Sequence, residues 1–143
     1  MLAGQLALIV AAMFSGAAFY IGFAEQPARL GLEDRALLGE WKPAYKRGTA
    51  MQAPLAVIGF VLGLTTWLQT GHWLWLIGAF VLVANLPYTL LVVMPTNNRL
   101  MATDPASAGP DSRALIEKWG ALHAARTALG LAATLIFLWA SLG

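Results

Sequence analysis

Trp119, His123 and Arg126 stand at i, i+4 and i+7 of one apolar stretch, so on a helix they share a face. His123 and Arg126 are that stretch's only ionisable groups below its first turns. An apolar helix tolerates such a pair at its wet end only where partners or work are supplied. Other polar residues fall at the ends or in the inner halves of the other apolar stretches. They are Tyr20 and Glu25, then Tyr45 and Gln52, then Asn85, Tyr88 and Asn97. Four-helix bundles build sites from such inward-facing groups, which suggests one pocket. Each residue also has a plainer reading. Tyr20, Tyr45 and Trp41 suit an interfacial aromatic belt, and Arg126 can snorkel to phosphates or pair with Glu25. Gln52 and Asn85 can serve as interhelical hydrogen-bond glue, and His72 reads as a solvated turn residue.

The elements that must position these groups are legible from composition. The chain has 143 residues, of which 59% are hydrophobic and only 11% charged. A soluble domain carries about a quarter charged residues, so this is a membrane composition. There are no cysteines, which excludes disulfides, thiolate metal sites and cysteine nucleophiles. A net charge of +2 is too small to imply nucleic acid. All nine Lys/Arg and all seven Asp/Glu fall within 25–47 and 99–126.

Apolar runs place spans at about 2–24, 43–69, 73–94 and 112–142, each long enough to cross a bilayer. The first run reads as a retained span, since no Lys or Arg precedes it as in a signal peptide. Leu37, Leu38 and Trp41 recur at helical spacing after Pro27 and Gly31, which predicts a short amphipathic helix on the membrane surface. Pro43 then suits the first turn of the second span. Gly59 and Gly63 form a small-xxx-small face, for packing within the bundle or for a homodimer seam. Trp73 and Trp75 read as belt aromatics after the turn at 70–72. Asn85 lies roughly 18 Å into the third span, and Pro87 should kink that span. Asp111 or Ser112 can cap the last helix. Internal repeats are not apparent.

The fold class is therefore all-α: a single four-helix transmembrane domain over 1–143, lipid-embedded. The positive-inside rule puts loops 25–48 and 95–113 in the cytoplasm and both termini outside, as in a bacterial inner (plasma) membrane. Metal chemistry is not supported, because one His without a carboxylate on its own helix matches neither zinc nor di-iron spacing. A haem b on His123, with Arg126 on a propionate, stays open as a cofactor.

Gly16 and Tyr20, Trp41 with Tyr45, Gly48 and Pro54, then Asn85 and Pro95-Thr96-Asn97-Asn98-Arg99-Leu100 form a recurring pattern with Trp119, His123 and Arg126. This pattern resembles the anthrone oxygenase-like family of small four-span membrane proteins, across nearly the whole chain. Its sharpest parts are Pro-x-Asn-x-x-Leu and Trp-x-x-x-His-x-x-Arg. Fungal members of that family convert an anthrone to an anthraquinone. The resemblance implies His123 as base or ligand with Trp119, Asn97 and Arg126 around it, a lipophilic aromatic substrate, and no required cofactor. Two other functions stay open: a haem- or quinone-binding membrane redox protein, and a non-catalytic structural membrane module.

Overall fold

A computed structural model describes the whole chain, Met1–Gly143. Four long helices account for almost all of it: α1 Leu2–Leu30, α2 Asp34–Thr70, α3 Trp73–Ala102 and α4 Pro110–Leu142. All four are long and apolar enough to cross a membrane, and there are no strands. Each of α1 and α3 packs along both α2 and α4, and α2 touches α4 across the middle.

The amphipathic stretch around Leu37, Leu38 and Trp41 is not a separate surface helix. It forms the first turns of α2, and Pro43 lies inside that helix. All three side chains are fully buried in a cluster with Leu100, Ile116 and Trp119. That packing outweighs the ladder bond and ring clash a mid-helix proline introduces, a cost of about 3 kcal/mol. Glu33 caps the helix, its carboxylate accepting from the Ala36 and Arg35 amides at 2.7 and 3.0 Å.

A second cluster fills the other half of the bundle, and its small residues set how closely the helices approach. Ala7, Ala11, Phe14, Ala56, Ala79, Ala133 and Phe137 all lie in it. Gly59 and Gly63 face inward. A β-carbon on Gly63 would lie 2.8 Å from the Phe137 ring and 3.0 Å from Ala79, and one on Gly59 would overlap Leu82. Both glycines are used up inside the bundle, so the seam they would offer to a second copy is not on its surface. Gly63→Val should lower the thermal unfolding midpoint in detergent. Overpacking costs about 1–3 kcal/mol, more than the few tenths by which valine betters glycine as a helix former.

Trp73 and Trp75 part company. Trp73 is exposed beside Trp67, whereas Trp75 is buried on Phe137 with ring centroids 5.5 Å apart. Two residues along a helix is more than half a turn, so both cannot face lipid. In α4, Pro110 occupies the first turn, and the Ser112 hydroxyl accepts from the Gly109 amide at 3.0 Å.

α1 and α3 each contain a π-helical turn, Ile21–Glu25 and Thr89–Val93. Each ends two residues before a proline, Pro27 and Pro95, whose missing N–H interrupts the ladder. α3 also breaks at Ala84, ahead of Pro87, where the Asn85 amide donates to the Leu82 carbonyl at 3.0 Å.

These paired features expose a repeat that the apolar helices conceal. Arg35-Ala36-Leu37-Leu38-x-x-Trp41 at the start of α2 matches Arg113-Ala114-Leu115-Ile116-x-x-Trp119 at the start of α4. The two tryptophans meet edge to face at 5.9 Å. Each carries a ring four residues on, stacked against it: Tyr45 on Trp41 at 4.9 Å, and His123 on Trp119 at 5.0 Å. The loops are tied reciprocally. Arg113 of α4 donates to the Leu30 and Leu32 carbonyls at 2.9 and 2.5 Å and pairs with Asp34 at 2.5 Å. Lys42 of α2 donates to the Met101 carbonyl at 3.2 Å and to that of Thr103.

Candidate functional site

Where the halves meet, α1, α2 and α4 enclose a chamber of about 20 Å³, room for roughly one water. Its wall carries Glu25, Tyr45, Gln52, Trp119, His123 and Arg126, all of them expected from the sequence, and Arg29, which was not. Tyr20, Asn85, Tyr88 and Asn97 lie outside it.

His123 is 1% exposed. Its Nε2 lies 2.9 Å from the Ala18 carbonyl, one turn before the π-helical segment of α1. A carbonyl only accepts, so in the neutral ring Nε2 holds the proton and Nδ1 keeps its lone pair. That Nδ1 has no partner. The ring orientation is fixed by Trp119 on one face, and Trp119 in turn is held edge-on by Trp41.

Arg126 donates through Nη2 to the Gln52 Oε1 at 2.8 Å and lies 5.8 Å from the centre of the Phe14 ring. It does not reach Glu25. The reason is Arg29, fully buried, which pairs with Glu25 and lies 2.9 Å from Glu40 and 5.6 Å over the Trp119 ring. Two carboxylates and an aromatic face satisfy the burial of that guanidinium, leaving Arg126 to the amide. Arg126 Nε and Gln52 Nε2 are both buried and unpaired. One acceptor and two donors without protein partners thus belong to side chains lining one chamber.

The remaining expected residues serve elsewhere. Tyr88 donates to the Leu122 carbonyl at 2.8 Å, one residue before His123. Asn97 is 1% exposed and both its amide atoms lack partners, but it does not line the chamber. Tyr20 is 60% exposed on the outside of α1. Arg29 escaped the sequence reading because it stands in a charged stretch that reads as solvated loop. Its signal was Glu25 four residues earlier, the spacing of a helical ion pair.

No three His, Asp or Glu side chains gather at one point. A haem does not fit the chamber as it stands, since His123 Nε2 is engaged and the space is far smaller than a macrocycle.

The chain is 30% identical over 122 residues to the anthrone oxygenase ptaC of Pestalotiopsis fici, an alignment covering 76% of this chain and 86% of that one. It is 31% identical over 145 aligned positions to an anthrone oxygenase of Claviceps purpurea, covering 92% and 83%. No solved structure shows significant similarity. A family profile described as anthrone oxygenase matches residues 41–136, from Trp41, which supports Trp119, to beyond Arg126. Matching that profile over most of its length, the chain belongs to the anthrone oxygenase family.

Proposed function

We propose that the protein is a membrane oxygenase that converts an anthrone-like lipophilic aromatic to the corresponding quinone at the chamber around His123. The observation that carries this reading is the set of unpaired atoms there: His123 Nδ1 as acceptor, Arg126 Nε and Gln52 Nε2 as donors. The names of the fungal relatives supply the substrate class.

The chemistry needs little else. The CH₂ carbon opposite an anthrone's ketone is acidic, because its anion delocalises onto the ketone oxygen. His123 Nδ1 takes that proton. Dioxygen then bonds to the electron-rich carbon, and the peroxide anion that forms on that carbon accepts hydrogen bonds from Arg126 and Gln52 and takes up a proton. Loss of the second hydrogen from that carbon with cleavage of the O–O bond gives the second ketone and one water. Dioxygen is the oxidant, and one oxygen atom enters product while the other leaves as water.

Arg126→Gln removes the cation and its unpaired Nε donor while keeping a polar side chain. It should lower kcat for an anthrone by about 10²–10³-fold, the usual cost of one oxyanion donor, with the unfolding midpoint close to wild type. Oxygen uptake and quinone absorbance in purified protein read the effect. Unchanged turnover would remove Arg126 from the mechanism, and absence of turnover in wild type would remove the oxygenase reading.

The charged ends of the bundle belong on the cytoplasmic side in this reading, because every Lys and Arg lies there. The relatives are fungal, so they lend no support to a bacterial inner membrane.

A further inference from the structure

The chamber is too small for a three-ring substrate, yet it is not isolated. Four of its residues, Ile21, Glu25, Ala44 and Gly48, also line an outer groove of about 340 Å³ between α1 and α2, which Tyr20 and Arg47 help to form. That volume lies within the usual range for small-molecule sites of about 300–1,000 Å³. We propose that this groove binds the flat ring system arriving from the bilayer, and that Ile21 against Gly48 is the door through which its reactive carbon meets His123. The proposal rests on the oxygenase reading for its substrate and on the geometry for its route.

Three observations favour this seam. Gly48 is open: a β-carbon there would sit 3.8 Å from Ile21 Cδ1, an ordinary contact, so only one isoleucine tip fills the gap. Counted from the paired tryptophans, Gly48 falls where the other half carries Arg126, so the repeat has a gap on one side and a cation on the other. Ile21 opens the π-helical turn of α1, where the helical ladder is already interrupted. Behind the door stand the unpaired and fully buried His123 Nδ1 and Gln52 Nε2. Tyr20, exposed and without a role in the bundle, gains one here, and Arg47 gives the groove a cation suited to an acidic hydroxyl on the ligand.

The other approaches are less suited. A groove of about 300 Å³ between α1 and α4, lined by Gly22 and Ala124 among others, shares no residue with the chamber. It meets His123 at ring carbon Cδ2, next to the engaged Nε2 and not to Nδ1: a β-carbon on Gly22 would lie 3.9 Å from Cδ2. A third touches the chamber at Glu25 and Arg29, which are locked in the ion cluster with Glu40.

Access to His123 can be read without any substrate. Protein in phosphatidylcholine vesicles is treated with diethyl pyrocarbonate, and modification of His123 is followed by peptide mass spectrometry against His72, the only other histidine, at the opposite end of the bundle. Gly48→Leu should slow His123 modification at least about tenfold relative to His72, as filling a pocket by a few methylenes does. Ile21→Ala should quicken it, and Ala124→Leu, in the other groove, should leave it unchanged. Gly48→Leu should also lower kcat/KM for an anthrone. Modification of His123 at the wild-type rate in Gly48→Leu would overturn the proposal, as would slowing by Ala124→Leu alone. Failure to label wild-type His123 while His72 reacts would overturn it too. Slowed labelling in a protein that turns over no anthrone would keep the door and discard the oxygenase.

Discussion

His123→Ala should reduce oxygen uptake with an anthrone by about 10²–10⁴-fold, the usual contribution of a positioned general base, while the protein still folds and inserts. The ring is buried and makes one hydrogen bond, to the Ala18 carbonyl at 2.9 Å. Its removal therefore also costs stability, about 0.5–1.5 kcal/mol for one lost hydrogen bond, since the Ile21 amide still reaches the Ala18 carbonyl. His123→Gln separates the two contributions. Its side-chain amide can reach as far as Nε2 and still donate towards Ala18 but has no basic nitrogen, so the melting midpoint should recover more than the rate. A purely structural histidine would show the reverse: glutamine restoring whatever signal alanine had lost. Oxygen-electrode rates and melts followed by circular dichroism on the same preparations settle which holds.

Trp41→Ala should be the most destabilising single change at the charged end of the bundle. Trp41 is fully buried, stacked on Tyr45 at 4.9 Å and set edge-on to Trp119 at 5.9 Å. Truncating a core tryptophan costs about 3–5 kcal/mol, and here the void opens beside the ring that orients His123. Turnover should fall as well, although Trp41 does not line the chamber, because Trp119 would lose its edge contact. Trp41→Phe should restore most of the midpoint. A Trp41→Ala variant that melts with wild type would show that the two halves are held elsewhere, by Arg113 and Lys42 on the loops.

The four spans were legible because charge and apolar runs alternate on the scale of a bilayer. Convergence of Glu25, Tyr45, Gln52, Trp119, His123 and Arg126 was legible as well, since each sits at the charged end of its span. What the sequence concealed was rotation. An apolar helix in lipid has no polar face to fix its azimuth, so nothing told Trp75 from Trp73, or Tyr45 inside from Tyr20 outside. Asn97 and Tyr88 failed as chamber residues for the same reason. The separate surface helix was misread because Pro43 looks like a start signal, whereas burial of Leu37, Leu38 and Trp41 carries α2 through it. Arg29 was hidden by its charge, which suggests solvent until its partners Glu25 and Glu40 are seen. The repeat was hidden because it survives in one short stretch per half, at the ends where polar side chains still distinguish positions.

That repeat bears on how the molecule is made. Each half is a helical hairpin, and the first, through Thr70, is complete before α3 has been synthesised. The tryptophan contact that joins the halves needs Trp119, and the chamber needs His123 and Arg126 a turn or two later. Until then the nascent first hairpin holds Gln52, Tyr45 and Glu25 with no wall facing them. The chamber comes into being only with the last helix, so a chain arrested before α4 would carry most of the outer groove and neither His123 nor Arg126.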